Sequence, residues 1–163
     1  MKNIFLILCF IIGSVYSQDY YNLNIQETGE STLIVLQSNI YSLDTGDEIG
    51  IFDMNGIINN NGDEGEILVG SGVWSNQQLE IIGIMGVDLS QFGGPILPGA
   101  NTGNDIAIKI WKLNEQIEYI PFINIEAGSG TFNNLFTVIS YLSCPDGQIE
   151  DECGICNGEG AVY

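Results

Sequence analysis

Residues 48–74, EIGIFDMNGIINNNGDEGEILVGSGVW, decide the fold class. Within Glu48–Phe52, Ile49 and Ile51 recur at every second position, which makes one face of an extended segment apolar. Ile67 to Trp74 alternates again. Ile67, Val69 and Val73 fall on one face, and Leu68 and Trp74 on the other. Gly70 and Gly72 share the Trp74 face, where missing side chains leave room for a ring or a neighbouring backbone. Between the two runs lie Asn55-Gly56 and Asn59 to Glu64, residue types that turn a chain. Two strands around a polar loop are the expected outcome.

The same period extends outward in both directions. Tyr20 to Ile25 reads as a first strand. Thr32 to Gln37 holds Leu33-Ile34-Val35-Leu36, apolar on both faces, and so reads as a central strand. Asp44-Thr45-Gly46 turns the chain. Ser75 to Gln78 reads as a hairpin loop into Leu79–Met85. A Gly-rich loop, Gln91–Gly103, carries Pro95 and Pro98. Ile106, Ile108 and Ile110 mark a strand with Trp111 near its end. Ile117 to Ile125 alternates around Pro121, which signals an edge or a bend. Asn133-Asn134 turns into a last strand, Leu135–Leu142. Roughly eight or nine strands at this turn spacing predict an all-β domain over 18–142, an antiparallel β-sandwich of jelly-roll or immunoglobulin-like type. An up-and-down barrel is the rival arrangement.

The first seventeen residues have a different chemistry. Lys2 is followed by the unbroken apolar run Ile4–Ile12, and Val15 and Ser17 stand at positions −3 and −1 of a cut after Ser17. That order is an export signal. The run is too short for a membrane span, which takes about 20 residues. Secretion or display at the cell surface is therefore expected.

Charge narrows the partners. The 163 residues include 21 acidic and three basic side chains, and Lys2 leaves with the signal. Nucleic acid is held by Lys and Arg neutralising phosphates, so the composition argues against it. Anionic membrane surfaces are disfavoured on the same ground. There is no His, which removes Ser-His-Asp and Cys-His arrangements and zinc hydrolases of the H-E-x-x-H type. Glycosidases need only two carboxylates, so an extracellular carbohydrate-active enzyme stands as the alternative to a non-enzymatic binding module. A structural spacer is a further alternative.

Two constellations are candidate sites. Asp53, Asn55, Asp63 and Glu64 lie in a Gly-containing loop and offer the oxygens that calcium takes, although Ile57 breaks the spacing of an EF-hand loop. Asp44, Asp47 and Glu48 form a second acidic cluster. Trp74 and Trp111 sit near strand ends beside loops, where an aromatic face can stack against a sugar ring. A glycan or surface polymer is the partner these residues suggest.

After Leu142 the composition shifts, and residues 143–163 form a separate tail. Cys144, Cys153 and Cys156 lie close together among acids and glycines. An exported chain without His favours structural disulfides over zinc, and both Cys144–Cys153 and Cys153–Cys156 fit the spacing. Asp151, Cys153, Gly154, Cys156, Gly158, Glu159 and Gly160 resemble the Cys-rich acidic repeats, Asp-x-Cys-Gly-x-Cys-x-Gly-Asp/Glu-Gly, grouped with thrombospondin type 3-like repeats of secreted bacterial proteins. The blocks Gly46–Asp53, Val73-Trp74 and Lys109–Trp111 likewise resemble a β-domain that precedes such repeats in surface proteins of marine bacteria. The resemblance implies a modular adhesion or binding protein, possible calcium stabilisation, and further domains downstream of a single partial repeat. The dense Asp-x-Asp-x-Asp-Gly runs of thrombospondin repeats are missing, with only Asp146-Gly147 in that style.

Overall fold

A computed structural model describes residues 18–132 and 135–158. The expected export signal, 1–17, the expected turn at Asn133-Asn134, and residues 159–163 lie outside the described residues. The chain forms β1 (Ser31–Leu36), β2 (Glu48–Ile57), β3 (Glu64–Val73), β4 (Leu79–Ile84), β5 (Val87–Asp88), β6 (Ile96–Leu97), β7 (Ala107–Lys112), β8 (Ile117–Tyr119), β9 (Ile123–Ala127) and β10 (Phe136–Leu142). One sheet has the order β4-β1-β10-β9 and the second β3-β2-β7-β8, while β5, just before the Gly-rich loop, and β6, within it, make a small ribbon. The fold is the expected β-sandwich. Its pairings are antiparallel except β1 with β10, which run parallel.

Alternation explains the layers. Ile34 and Leu36 of β1, Ile49 and Ile51 of β2, and Ile108 and Ile110 of β7 meet in one core with Trp74, Phe132 and Ile139. In β1 the residues between them, Leu33 and Val35, are only half-buried, so they face outward. The strand is central, between β4 and β10.

Several local expectations change. Trp74 and Val69 are both fully buried, although strict alternation puts them on opposite faces. The register runs Ile51↔Gly70 and then Phe52↔Leu68, leaving Val69 as an extra residue. That bulge re-phases the strand. The space at Gly70 is used by backbone: a Cβ there would stand 2.5 Å from the Ile82 carbonyl oxygen, across the gap to the other sheet. Ser75 to Gln78 is accordingly no hairpin, because β3 and β4 belong to different sheets. Pro121 marks a similar crossing, from edge strand β8 to edge strand β9.

Lys112, at the end of β7, points inward and is buried. Its ammonium donates to the Ser42 carbonyl at 3.1 Å and to Asp44 at 2.8 Å, and pairs with buried Asp47 at 2.8 Å. Asp47 also accepts the backbone N–H groups of Asp44 and Leu113. Burial opposes the charge on Lys112, but the hydrogen bonds and charges of Asp44 and Asp47 outweigh it and hold the pKa above the usual lysine value. Burial, with a hydrogen bond to Glu118, likewise raises Tyr21. Tyr119 is raised by burial and by the charge of Asp47.

Two outcomes are expected. Gly70→Ala forces β3 from β4 and destabilises by about 1–3 kcal/mol, read from urea unfolding. The melting temperature falls as pH rises past about 10. The unfolded chain there releases Lys and Tyr protons that the folded chain retains, so folding loses the contribution it held at lower pH.

Candidate functional site

The outer face of the second sheet carries an aromatic surface assembled by the N-terminal segment. Residues 20–25 do not form the expected strand, and the backbone donors of the first two, Tyr20 and Tyr21, go to a side chain. Glu48, the first residue of β2, turns its carboxylate outward yet is only 2% exposed. It accepts the N–H of Asp19 at 2.8 Å, of Tyr20 at 3.0 Å and of Tyr21 at 2.9 Å. Three successive donors converging on one anion bend the segment and leave none of them for a sheet ladder.

This clamp places the rings. Tyr20 lies flat on Trp111, with centroids 3.9 Å apart and planes 4° from parallel. Tyr21 meets Phe52 edge to face, and its hydroxyl donates to Glu118 at 2.9 Å. Gly50 makes this possible, since a Cβ there would come within 3.0 Å of the Tyr21 ring. Lys109 sits over the Phe52 ring at 4.5 Å and pairs with Glu66. Tyr20 remains 42% exposed and offers the outward ring. The two predicted tryptophans therefore separate. Trp111 stands on this face beneath Tyr20. Trp74 has no exposed surface, fills the core, and donates its indole N–H to Asn76 at 3.1 Å; it has no face to present to a ligand. Sequence reasoning missed Tyr20 as a site residue, its one signal being the Tyr20-Tyr21 pair close to the start of the expected β-domain.

The loop acids are only partly brought together. Asp53 is buried and accepts the N–H of Asn55 at 2.9 Å and of Asn101 at 2.8 Å, with the Asn104 amide spanning both its oxygens. The Asn101 amide bridges the Asn55 carbonyl and Glu64. Asp63 lies outside this network and instead accepts from Asn59 at 2.8 Å within its own loop. Asn101 and Asn104, in the Gly-rich loop, were not anticipated. Among the described residues no three Cys, Asp or Glu side chains gather closely enough to hold a metal ion. The second acidic cluster is engaged internally, Asp44 and Asp47 with Lys112 and Glu48 with the N-terminal segment.

In the tail, Cys144 pairs with Cys156, with Cα atoms 5.6 Å apart, and Cys153 is an exposed free thiol. Both expected pairings, each using Cys153, are corrected. A bridge between Glu150 and Cys156 folds the segment back on itself and brings the outer two cysteines together. Cys156 also lies against the Ser42 carbonyl, and Gln148 donates to Glu115 at 2.7 Å, so the tail is docked on the sandwich. No helix among the described residues is long and apolar enough to cross a membrane.

No family model, curated protein or solved structure matches this chain.

Replacing Glu48 with Ala removes the common acceptor of three N–H groups. A loss of about 2 kcal/mol is expected, accompanied by a change in Trp111 fluorescence as Tyr20 leaves its ring, measured by urea unfolding and steady-state emission.

Proposed function

We propose that this protein is a non-catalytic extracellular binding or adhesion module, one part of a larger secreted or surface protein, whose ligand is a glycan taken on the outer face of the second sheet. The observation that carries this reading is Tyr20 stacked on Trp111 with its own outer surface open. A ring held rigid by a second ring loses little freedom when a sugar stacks upon it. The surrounding Glu66, Glu118 and Lys109 supply hydrogen-bonding groups for sugar hydroxyls. The Cys144–Cys156 disulfide supports an oxidising compartment, in keeping with the export signal. The chain's large negative charge favours neutral or amino sugars over sulfated or uronic ones.

Calcium stabilisation is a second reading, supported by one feature. The Asn101 and Asn104 amides bridge oxygens of Asp53, Asn55 and Glu64. Turning both amides over would set two more oxygens against the Asp53, Asn55 and Glu64 oxygens they now donate to, the ligand type that calcium takes.

A glycan array with the mature protein tests the first reading. Binding to a neutral or amino-sugar glycan is expected, falling by about tenfold or more in Tyr20→Ala and Trp111→Ala. Binding that survives both substitutions removes this face from consideration. For the second, calcium is expected to raise the melting temperature of the wild type and not of Asp53→Ala; equal melting with calcium and with chelator discards it.

A further inference from the structure

The first sheet turns a different surface to solvent. Ile34, Leu36 and Ile139 fill the core, so alternation sends Leu33, Val35 and Val138 outward. Ile82, Leu33 and Phe136 stand side by side across β4, β1 and β10, and the next row places Glu80, Val35 and Val138 in register. Ile82 is 61% exposed and Phe136 45%. A contiguous apolar face of this kind on a chain that is otherwise strongly acidic marks an interaction surface.

Charge indicates what covers it. Among the described residues the charged groups at its edges are carboxylates: Glu80 within the second row, and Glu30 and Glu27 lining the clefts that hold Leu33 and Ile82 at one end. None of β1, β4, β9 and β10 carries a basic residue. Both lysines of the mature chain lie on β7 of the other sheet and are paired, Lys109 with Glu66 and Lys112 with Asp44 and Asp47. A second copy of this chain would set the same carboxylates against one another, which is destabilising. We infer that the outer face of the first sheet docks a protein partner whose contact patch is apolar at its centre and rimmed by Lys or Arg. Apolar burial then supplies affinity, and the acidic rim supplies partner choice and rapid encounter. This inference uses the face opposite the proposed glycan surface and does not rest on that reading.

The test uses the mature full chain and a short synthetic peptide in which lysine and leucine alternate, with a glutamate–leucine and a lysine–serine peptide as comparisons. Amide shifts in NMR spectra are expected at Leu33, Val35, Ile82, Phe136 and Val138, with the lysine–leucine peptide only. Phe136→Glu and Ile82→Glu are each expected to weaken binding by about tenfold or more. Phe92→Glu adds the same charge on a distant exposed loop and should leave affinity within about twofold. Melting curves of the three variants separate lost binding from lost folding. Shifts spread over the acids of both sheets, equal binding by the lysine–serine peptide, or equal behaviour of the three variants would overturn the inference. So would sedimentation showing that the chain pairs through this face at high salt, where its carboxylates are screened.

Discussion

Two neighbouring carboxylates, Asp47 and Glu48, fasten the sandwich to everything attached to it. Successive side chains on an extended backbone point to opposite faces, so one of this pair enters the interior and the other the outer surface. Asp47 meets the buried ammonium of Lys112 and the N–H of Leu113, joining the start of β2 to the end of β7. Glu48 gathers the N–H groups of Asp19, Tyr20 and Tyr21. A buried charge deprived of its partner costs several kcal/mol, typically about 3–5. Removing either partner of the Lys112–Asp47 pair would leave such a charge between the start of β2 and the end of β7.

The two outer faces differ in how far the described N-terminal segment covers them. The N-terminal segment lies across β2, β7 and β8 and converts a strip of Phe52, Trp111 and Gly50 into a layered aromatic surface. Removing that segment would leave Trp111 and Phe52 bare beside Lys109. On the first sheet, Ile82 and Phe136 stay exposed among the described residues. Carboxylates bordering that apolar row oppose the approach of a second copy of the same face.

Much of this was legible in the sequence wherever periodicity was the governing signal. β1, β2, β7 and β10 follow the alternation of their isoleucines and valines, and the central place of β1 follows from its two apolar faces. What escaped depended on contacts distant in sequence. Tyr20 to Ile25 has a strand's composition, but a carboxylate 28 positions away from Tyr20 takes its donors. The bulge at Val69 cannot be read from β3 alone, since it exists only relative to β2. Ser75 to Gln78 has hairpin chemistry and performs a sheet crossing, because Gly70 and Gly72 let β4 approach from the other layer. The site followed the same rule. Trp111 was legible, Trp74 was drawn into the core by the re-phased strand, and Asn101 and Asn104 reach Asp53 from a loop whose composition signals only turns.

The tail connects to the same fastening point. Cys156 rests on the Ser42 carbonyl, the group that also accepts from Lys112. The Cys144–Cys156 bridge closes a loop of 12 residues' separation, which restricts the unfolded tail and favours the docked one. Residues 42–48 thus hold the N-terminal segment through Glu48, β7 through Asp47 and the C-terminal tail through Ser42. That stretch is tied to the core by the Leu43 side chain, by Lys112 against Asp47, and by backbone bonds from the Trp74 N–H to the Asp47 carbonyl at 2.8 Å and from the Gly46 N–H to the Trp74 carbonyl at 2.9 Å. The N-terminal segment and the tail thus both take hold on one stretch of the sandwich, the first through Glu48 and the second in part through Ser42.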